Sequence, residues 1–137
     1  MRILNLTQHT ATPEQRLAGV IDLPEQAAAE LRRLLTFSVS GPDGLASVED
    51  AYAQVVARAN QIVELVVVPA IERDPEITAA MIGGAPYLMA PLERALMKIG
   101  VTPVYALSDR VSVEETQPDG TVRKVAVFRH AGFVAVG

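Results

Sequence analysis

Between Ile77 and Leu107 the sequence reads as one strand–helix–strand unit, and no other stretch limits the fold as strongly. Ile77–Ile82 is a short apolar run broken by Gly83-Gly84. Pro86 or Pro91 then opens a helix whose apolar stripe is Leu88, Leu92, Leu96 and Ile99. Gly100 stops that helix, and Thr102–Leu107 follows as a strand. Two strands joined by a helix in one sheet run parallel, with a right-handed crossover. The rival for Ile77–Ile82 is a one-turn helix opened by Asp74-Pro75 and capped by Gly83. A strand is preferred, because a helix would otherwise follow a helix with no strand between them.

The N-terminal part repeats the alternation. Residues 2–6 read as a strand that runs into the polar Thr7-Gln8-His9-Thr10. Thr12-Pro13-Glu14-Gln15 has the form of a capping box with proline at the first helical position, and that helix stops near Gly19. Asp22-Leu23-Pro24-Glu25 starts a second helix over 24–33, and Leu34–Val39 is a strand candidate ending in the loop Ser38–Gly44. Ser47 caps a long helix, 47–68, with Val48, Tyr52, Val55, Ala59, Ile62, Val63 and Val66 at helical spacing; Pro69 ends or kinks it. A strand over 65–68 is the alternative there. At the other end Ser108-Asp109-Arg110 turns the chain. Val111–Thr116 and Val122–Phe128 then flank Gln117-Pro118-Asp119-Gly120 as a hairpin, and residues 130–134 form a tail or a last short strand. The expected fold is α/β: one domain over 1–137, a doubly wound, mainly parallel Rossmann-like sheet with a C-terminal antiparallel β-hairpin.

Charge and composition exclude several functions. The 137 residues carry a formal net charge of −4, which argues against a duplex nucleic-acid or anionic-membrane binder but not against a small anionic ligand in a local pocket. Residues 1–97 hold seven basic and twelve acidic groups, whereas 98–137 hold five and four, so an anion site would borrow cations from the C-terminal part. The absence of cysteine excludes disulfides, thiolate metal sites and cysteine nucleophiles. The start is too soon polar for a signal peptide, and the apolar run 62–71 contains Glu64 and Pro69 and is too short to span a bilayer. A cytoplasmic protein is expected.

In open α/β sheets ligands bind beyond the carboxyl ends of the strands. Four loops are expected there, with Thr7, Gln8, Thr10, Ser38, Ser40, Gly83, Gly84 and Ser108 as candidate ligand-binding residues. Gly83-Gly84 can present bare backbone to a phosphate, or be a plain tight turn. His9 could act as acid or base, or cap the following helix. Arg110 is a candidate cation for an anionic ligand, or a partner of Asp109 or Glu114. His130 reads as packing on Phe128 or Phe133, with a catalytic role as the lesser alternative. Glu72, Asp74 and Glu76 read as a solvated junction, so no metal or cofactor is expected.

Leu4–Gln15, the run Met81–Pro86 with its helix to Gly100, and Pro103–Arg110 together resemble small one-domain CRISPR-associated proteins with a Rossmann-like fold, over most of the chain. The resemblance implies a homodimer that binds cyclic oligoadenylate second messengers in antiviral defence. Ring-nuclease members of that family cut the ring without metal, by attack of a ribose 2′-hydroxyl on the adjacent phosphate. It implies that Thr7–Thr10 and Gly83–Gly84 hold phosphate and ribose, with His9 as acid/base and Arg110 at the developing charge. A non-catalytic nucleotide sensor, and an accessory interaction protein carried on mobile DNA, are the alternatives.

Overall fold

The strand–helix–strand unit is present. In a computed structural model that describes residues 1–36 and 47–137, Ile77–Met81 is a strand and Pro86–Lys98 a helix, and the next strand starts at Thr102. In chain order the elements are β1 (Arg2–Asn5), α1 (Pro13–Leu17), β2 (Val20–Ile21), α2 (Glu25–Leu35), α3 (Val48–Ile62), a π-helical turn (Val63–Val67), α4 (Val68–Arg73), β3 (Ile77–Met81), α5 (Pro86–Lys98), β4 (Thr102–Thr116) and β5 (Val122–Ala135). They build a curled five-stranded sheet in the order β2-β1-β3-β4-β5. β1, β2, β3 and β4 are parallel neighbours, and β5 pairs antiparallel with β4.

One face of the sheet carries the main core. Leu4, Ile77 and Ala80 meet Leu31 and Leu34 of α2, Val55, Ala59 and Ile62 of α3, and Leu88, Leu92 and Leu96 of α5. The opposite face holds a smaller cluster of Ile3, Val20, Ala79, Met81 and Val104, closed by Ala11 and by Phe133 of β5. Helix α1 buries none of its own residues. The architecture is therefore mixed α/β and mostly parallel, with most helical packing on one face.

Pro69 neither ends the long helix nor leaves it regular. It has no N–H for the carbonyl four residues back, where its ring would also clash. The ladder widens just before it: Val68 N–H donates to Val63 C=O, and helix resumes to Arg73. A strand over 65–68 is thereby excluded. Val48–Arg73 is 26 residues, long and apolar enough by composition to cross a membrane, yet Val55, Ala59, Ile62, Val66 and Val67 are packed in the core. Pro91, a possible helix opener by sequence, is buried inside α5, which Pro86 opens.

Other expectations need correction. Leu34 and Leu35 are helical, not the start of a strand, because Leu31 and Leu34 continue one buried stripe of α2; residues 37–39 lie outside those described. Val20–Ile21, to which the sequence assigns no element, forms β2. Gly19 makes that possible, with φ +108° and its carbonyl accepting from Ile3 N–H at 2.9 Å. A Cβ there would collide with the Met1 carbonyl oxygen. Ser108-Asp109-Arg110 is no turn: β4 runs unbroken to Thr116, paired with a β5 that absorbs both the expected second hairpin strand and the 130–134 segment.

Candidate functional site

The site begins with a polar residue inside a buried strand. Asn5 is only 4% exposed and all of its amide is used. Nδ2 donates to His9 C=O (2.7 Å) and to Asp22 Oδ1 (2.8 Å), while Oδ1 accepts from the Thr7 N–H (2.9 Å) and hydroxyl (2.7 Å). These four bonds shape the loop that leaves β1. Asp22, just past β2, also accepts from Ala11 N–H (3.0 Å) and from Arg16 (2.9 Å). Burial is the largest influence on the Asp22 carboxyl and opposes its charge. The hydrogen bonds from Asn5, Arg16 and the Ala11 backbone, with the Arg16 charge, outweigh it and hold the pKa below its ordinary value of 3.8.

A carboxylate with a depressed folded-state pKa stabilises the fold above its unfolded pKa, and that contribution is lost as pH falls through the folded value. Asp22→Asn should therefore lower stability at neutral pH. It should also shrink the loss that wild type shows from about pH 4 downward. Urea midpoints measured across that range check this, and an acid limb identical in variant and wild type would contradict it.

The loop so held forms one wall of a cleft of about 660 Å³ at the carboxyl ends of β1 and β3 and beside β4. Thr7, Gln8, His9 and Thr10 face Gly83, Gly84 and Ala85 across it; Thr12 and Gln15 of the α1 start, Met81, Ile82, Tyr105 and Ala106 complete the lining. The Gly83 and Gly84 N–H groups have no partner among the described residues, and the His9 imidazole makes no hydrogen bond there either. The capping box orients Gln15: its Oε1 accepts from Thr12 N–H at 3.0 Å, leaving Nε2 as a donor. Tyr105 donates to Glu93 at 2.5 Å. Burial first, then that bond and the Glu93 charge, raise its phenol pKa well above the ordinary value, so it stays neutral. The free groups of the cleft are thus mostly donors over an apolar floor, suited to a ligand rich in acceptors. A smaller hollow of about 210 Å³ lies on the other side of the same loop, bordered by Asp22, Glu25 and Arg32.

Of the residues singled out by sequence, Thr7, Gln8, His9, Thr10, Gly83 and Gly84 converge on the cleft. Ser38 and Ser40 lie outside the described residues. Ser108 and Arg110 do not line the cleft; they sit in β4 opposite His130 and Phe128. His130 packs its ring on Phe133 at 4.7 Å, and its backbone N–H donates to Glu14 at 3.0 Å. Among the described residues no cluster of histidine and carboxylate side chains could hold a metal ion.

Residues 1–134 match the sequence pattern of the uncharacterized protein MJ1673 family. The chain belongs to that family. No curated protein and no solved structure matches it. Because the MJ1673 family is itself uncharacterized, membership assigns no activity to the cleft. Sequence reasoning missed Asn5, Asp22, Gln15 as a cleft residue, Tyr105 and Ala106. Asn5 alone left a visible signal, an amide between Leu4 and Leu6 in an apolar strand.

Proposed function

We propose that this protein binds a nucleotide in the cleft between Thr7–Thr10 and Gly83–Gly84, as a ring nuclease acting on cyclic oligoadenylate. The convergence of those two loops at the carboxyl ends of adjacent parallel strands carries the reading, since that is where doubly wound, Rossmann-like sheets hold ligands. The resemblance of Leu4–Gln15 and Met81–Arg110 to CRISPR-associated ring nucleases supplies the substrate class, a second messenger of the cytoplasm. In this mechanism the ribose 2′-oxygen attacks the neighbouring phosphorus and the bond from phosphorus to the 5′-oxygen breaks. His9 takes the 2′-hydroxyl proton, and the departing 5′-oxygen gains one, leaving a 2′,3′-cyclic phosphate. The Gly83 and Gly84 N–H groups, the Thr12 hydroxyl and Gln15 Nε2 would hold the phosphate oxygens. Arg110, four residues beyond Ala106 on β4, would meet only a part of the ligand that extends past the rim.

Incubation of the protein with cyclic tetra- or hexa-adenylate in EDTA should yield cleaved product. His9→Ala should slow cleavage by about a hundredfold or more, the usual contribution of a general base. Rings left intact by excess protein overturn the catalytic reading. One observation favours a second reading, a sensor without turnover: among the described residues, no lysine or arginine lines the cleft to meet the charge that develops on a reacting phosphate. A sensor would show a ligand-dependent rise in melting temperature that survives His9→Ala.

A further inference from the structure

The paired β4 and β5 strands are 15 and 14 residues long, far longer than the two to five residues of β1, β2 and β3. Beyond Leu107 they pack chiefly against each other. Two-stranded ribbons are marginal in water unless one face is covered.

Side chains alternate between the two faces of a strand, and the register sorts this ribbon cleanly. One face carries Asp109 opposite Arg129, Val111 opposite Val127, Val113 opposite Val125, and Glu115 opposite Arg123. It is a four-valine patch bounded at each end by opposite charges. None of those four charged groups makes an ion pair or hydrogen bond among the described residues, and all four are exposed. Leu107, 46% exposed, extends the apolar stripe toward the core. The cleft meets β4 only at Tyr105 and Ala106, before the ribbon's valine patch begins.

The geometry points to a second copy of this chain as the cover of the valine face. Two such faces packed about 10 Å apart around a two-fold axis parallel to the strands set β4 of one copy over β5 of the other. Valines then meet valines, Asp109 faces Arg129 of the second copy, and Glu115 faces its Arg123. An axis across the strands instead sets Asp109 over Glu115 and Arg129 over Arg123, like charge on like. The charge pattern therefore selects the first arrangement, which pairs all four unpaired groups. Each ribbon offers on the order of 300 Å² of flat area, from about 3.4 Å per residue and two strands, below the roughly 800 Å² per partner of stable complexes. The dimer is accordingly weak and concentration-dependent.

Sedimentation velocity over a wide concentration range should show reversible dimerisation of the whole chain. Val113→Lys should abolish it while leaving the melting temperature of the monomer unchanged. Asp109→Arg should weaken it by about tenfold or more, because like charges then face each other across the interface, and Asp109→Arg with Arg129→Asp should restore it. A protein that stays monomeric at every concentration overturns the proposal, as does a dimer indifferent to Val113→Lys. Tighter association of Asp109→Arg alone overturns the chosen arrangement, since only the crossed axis would place that arginine over Glu115.

Discussion

Asn5→Leu is expected to lower the stability of this protein by about 3 kcal/mol or more, although leucine nearly matches asparagine in size. The cost comes from what the amide leaves behind. Without it the Thr7 N–H is left unsatisfied in a partly buried site, at about 1–3 kcal/mol. The His9 carbonyl and Asp22 Oδ1 each lose one of two hydrogen bonds, keeping those from the Thr7 hydroxyl and the Ala11 N–H. Asn5→Asp makes the argument sharper. The carboxylate could still accept from Thr7, but it would donate nothing and would face the Asp22 oxygen now 2.8 Å from Nδ2. Two carboxylates at that distance raise the pKa of the new one. A group with a raised folded-state pKa loses its stabilising contribution as pH rises, so the deficit of Asn5→Asp should widen from mildly acid to neutral pH. Urea unfolding, read as a fall in midpoint with the slope unchanged, checks both variants. A loss below about 1 kcal/mol for Asn5→Leu would mean that water replaces the amide and that the loop does not depend on it.

The elements legible in the sequence were those whose signals are local. The capping box at Thr12 and Gln15 forms with both of its bonds, and Ser47 caps α3 through Asp50 N–H. The 77–107 unit read as strand, helix, strand because two glycine breaks and a helical stripe lie within it. What escaped depends on distant partners. β2 has two residues, too few for any periodicity, and exists because Gly19 lets the chain turn back beside Ile3. The continuity of β4 through Ser108-Asp109-Arg110 is also set from outside, by pairing with Arg129 and His130. Three polar residues look like a turn when no cross-strand neighbour is in view.

The same division runs through the site. The two halves that do converge, Thr7–Thr10 and Gly83–Gly84, each follow an apolar strand, and adjacent parallel strands bring such loops together. Arg110 was grouped with them on the assumption of a turn after Leu107. Once β4 continues, each further residue carries the chain about 3.4 Å along the ribbon, and Arg110 leaves the lining. Tyr105 enters the cleft because the sheet puts it beside the end of β3, a relation that exists only between strands. Asn5 was readable as an anomaly, but its partner Asp22 lies beyond a helix and a second strand.

The two glycines of the cleft should separate ligand occupancy from folding. Gly83 has an ordinary φ, and a Cβ built on it meets only a Thr7 methyl at 3.6 Å, an ordinary contact. Gly84 has φ +142°, a conformation that side chains rarely adopt. Gly83→Leu should therefore fold as wild type does, with its side chain in the space between the Thr7–Thr10 loop and Tyr105. If that space holds the nucleotide, affinity should fall by about a hundredfold or more, the roughly 3 kcal/mol that displacement of a bound group from a closed wall implies. Gly84→Ala should do the reverse. It should cost about 1–3 kcal/mol of stability through its backbone while its methyl, 3.8 Å from the Met89 side chain, leaves the cleft open. Melting curves with and without cyclic tetra-adenylate give both quantities together. Ligand-induced stabilisation that persists undiminished in Gly83→Leu would place the nucleotide elsewhere, and the smaller hollow beside Arg32 would be the next surface to block.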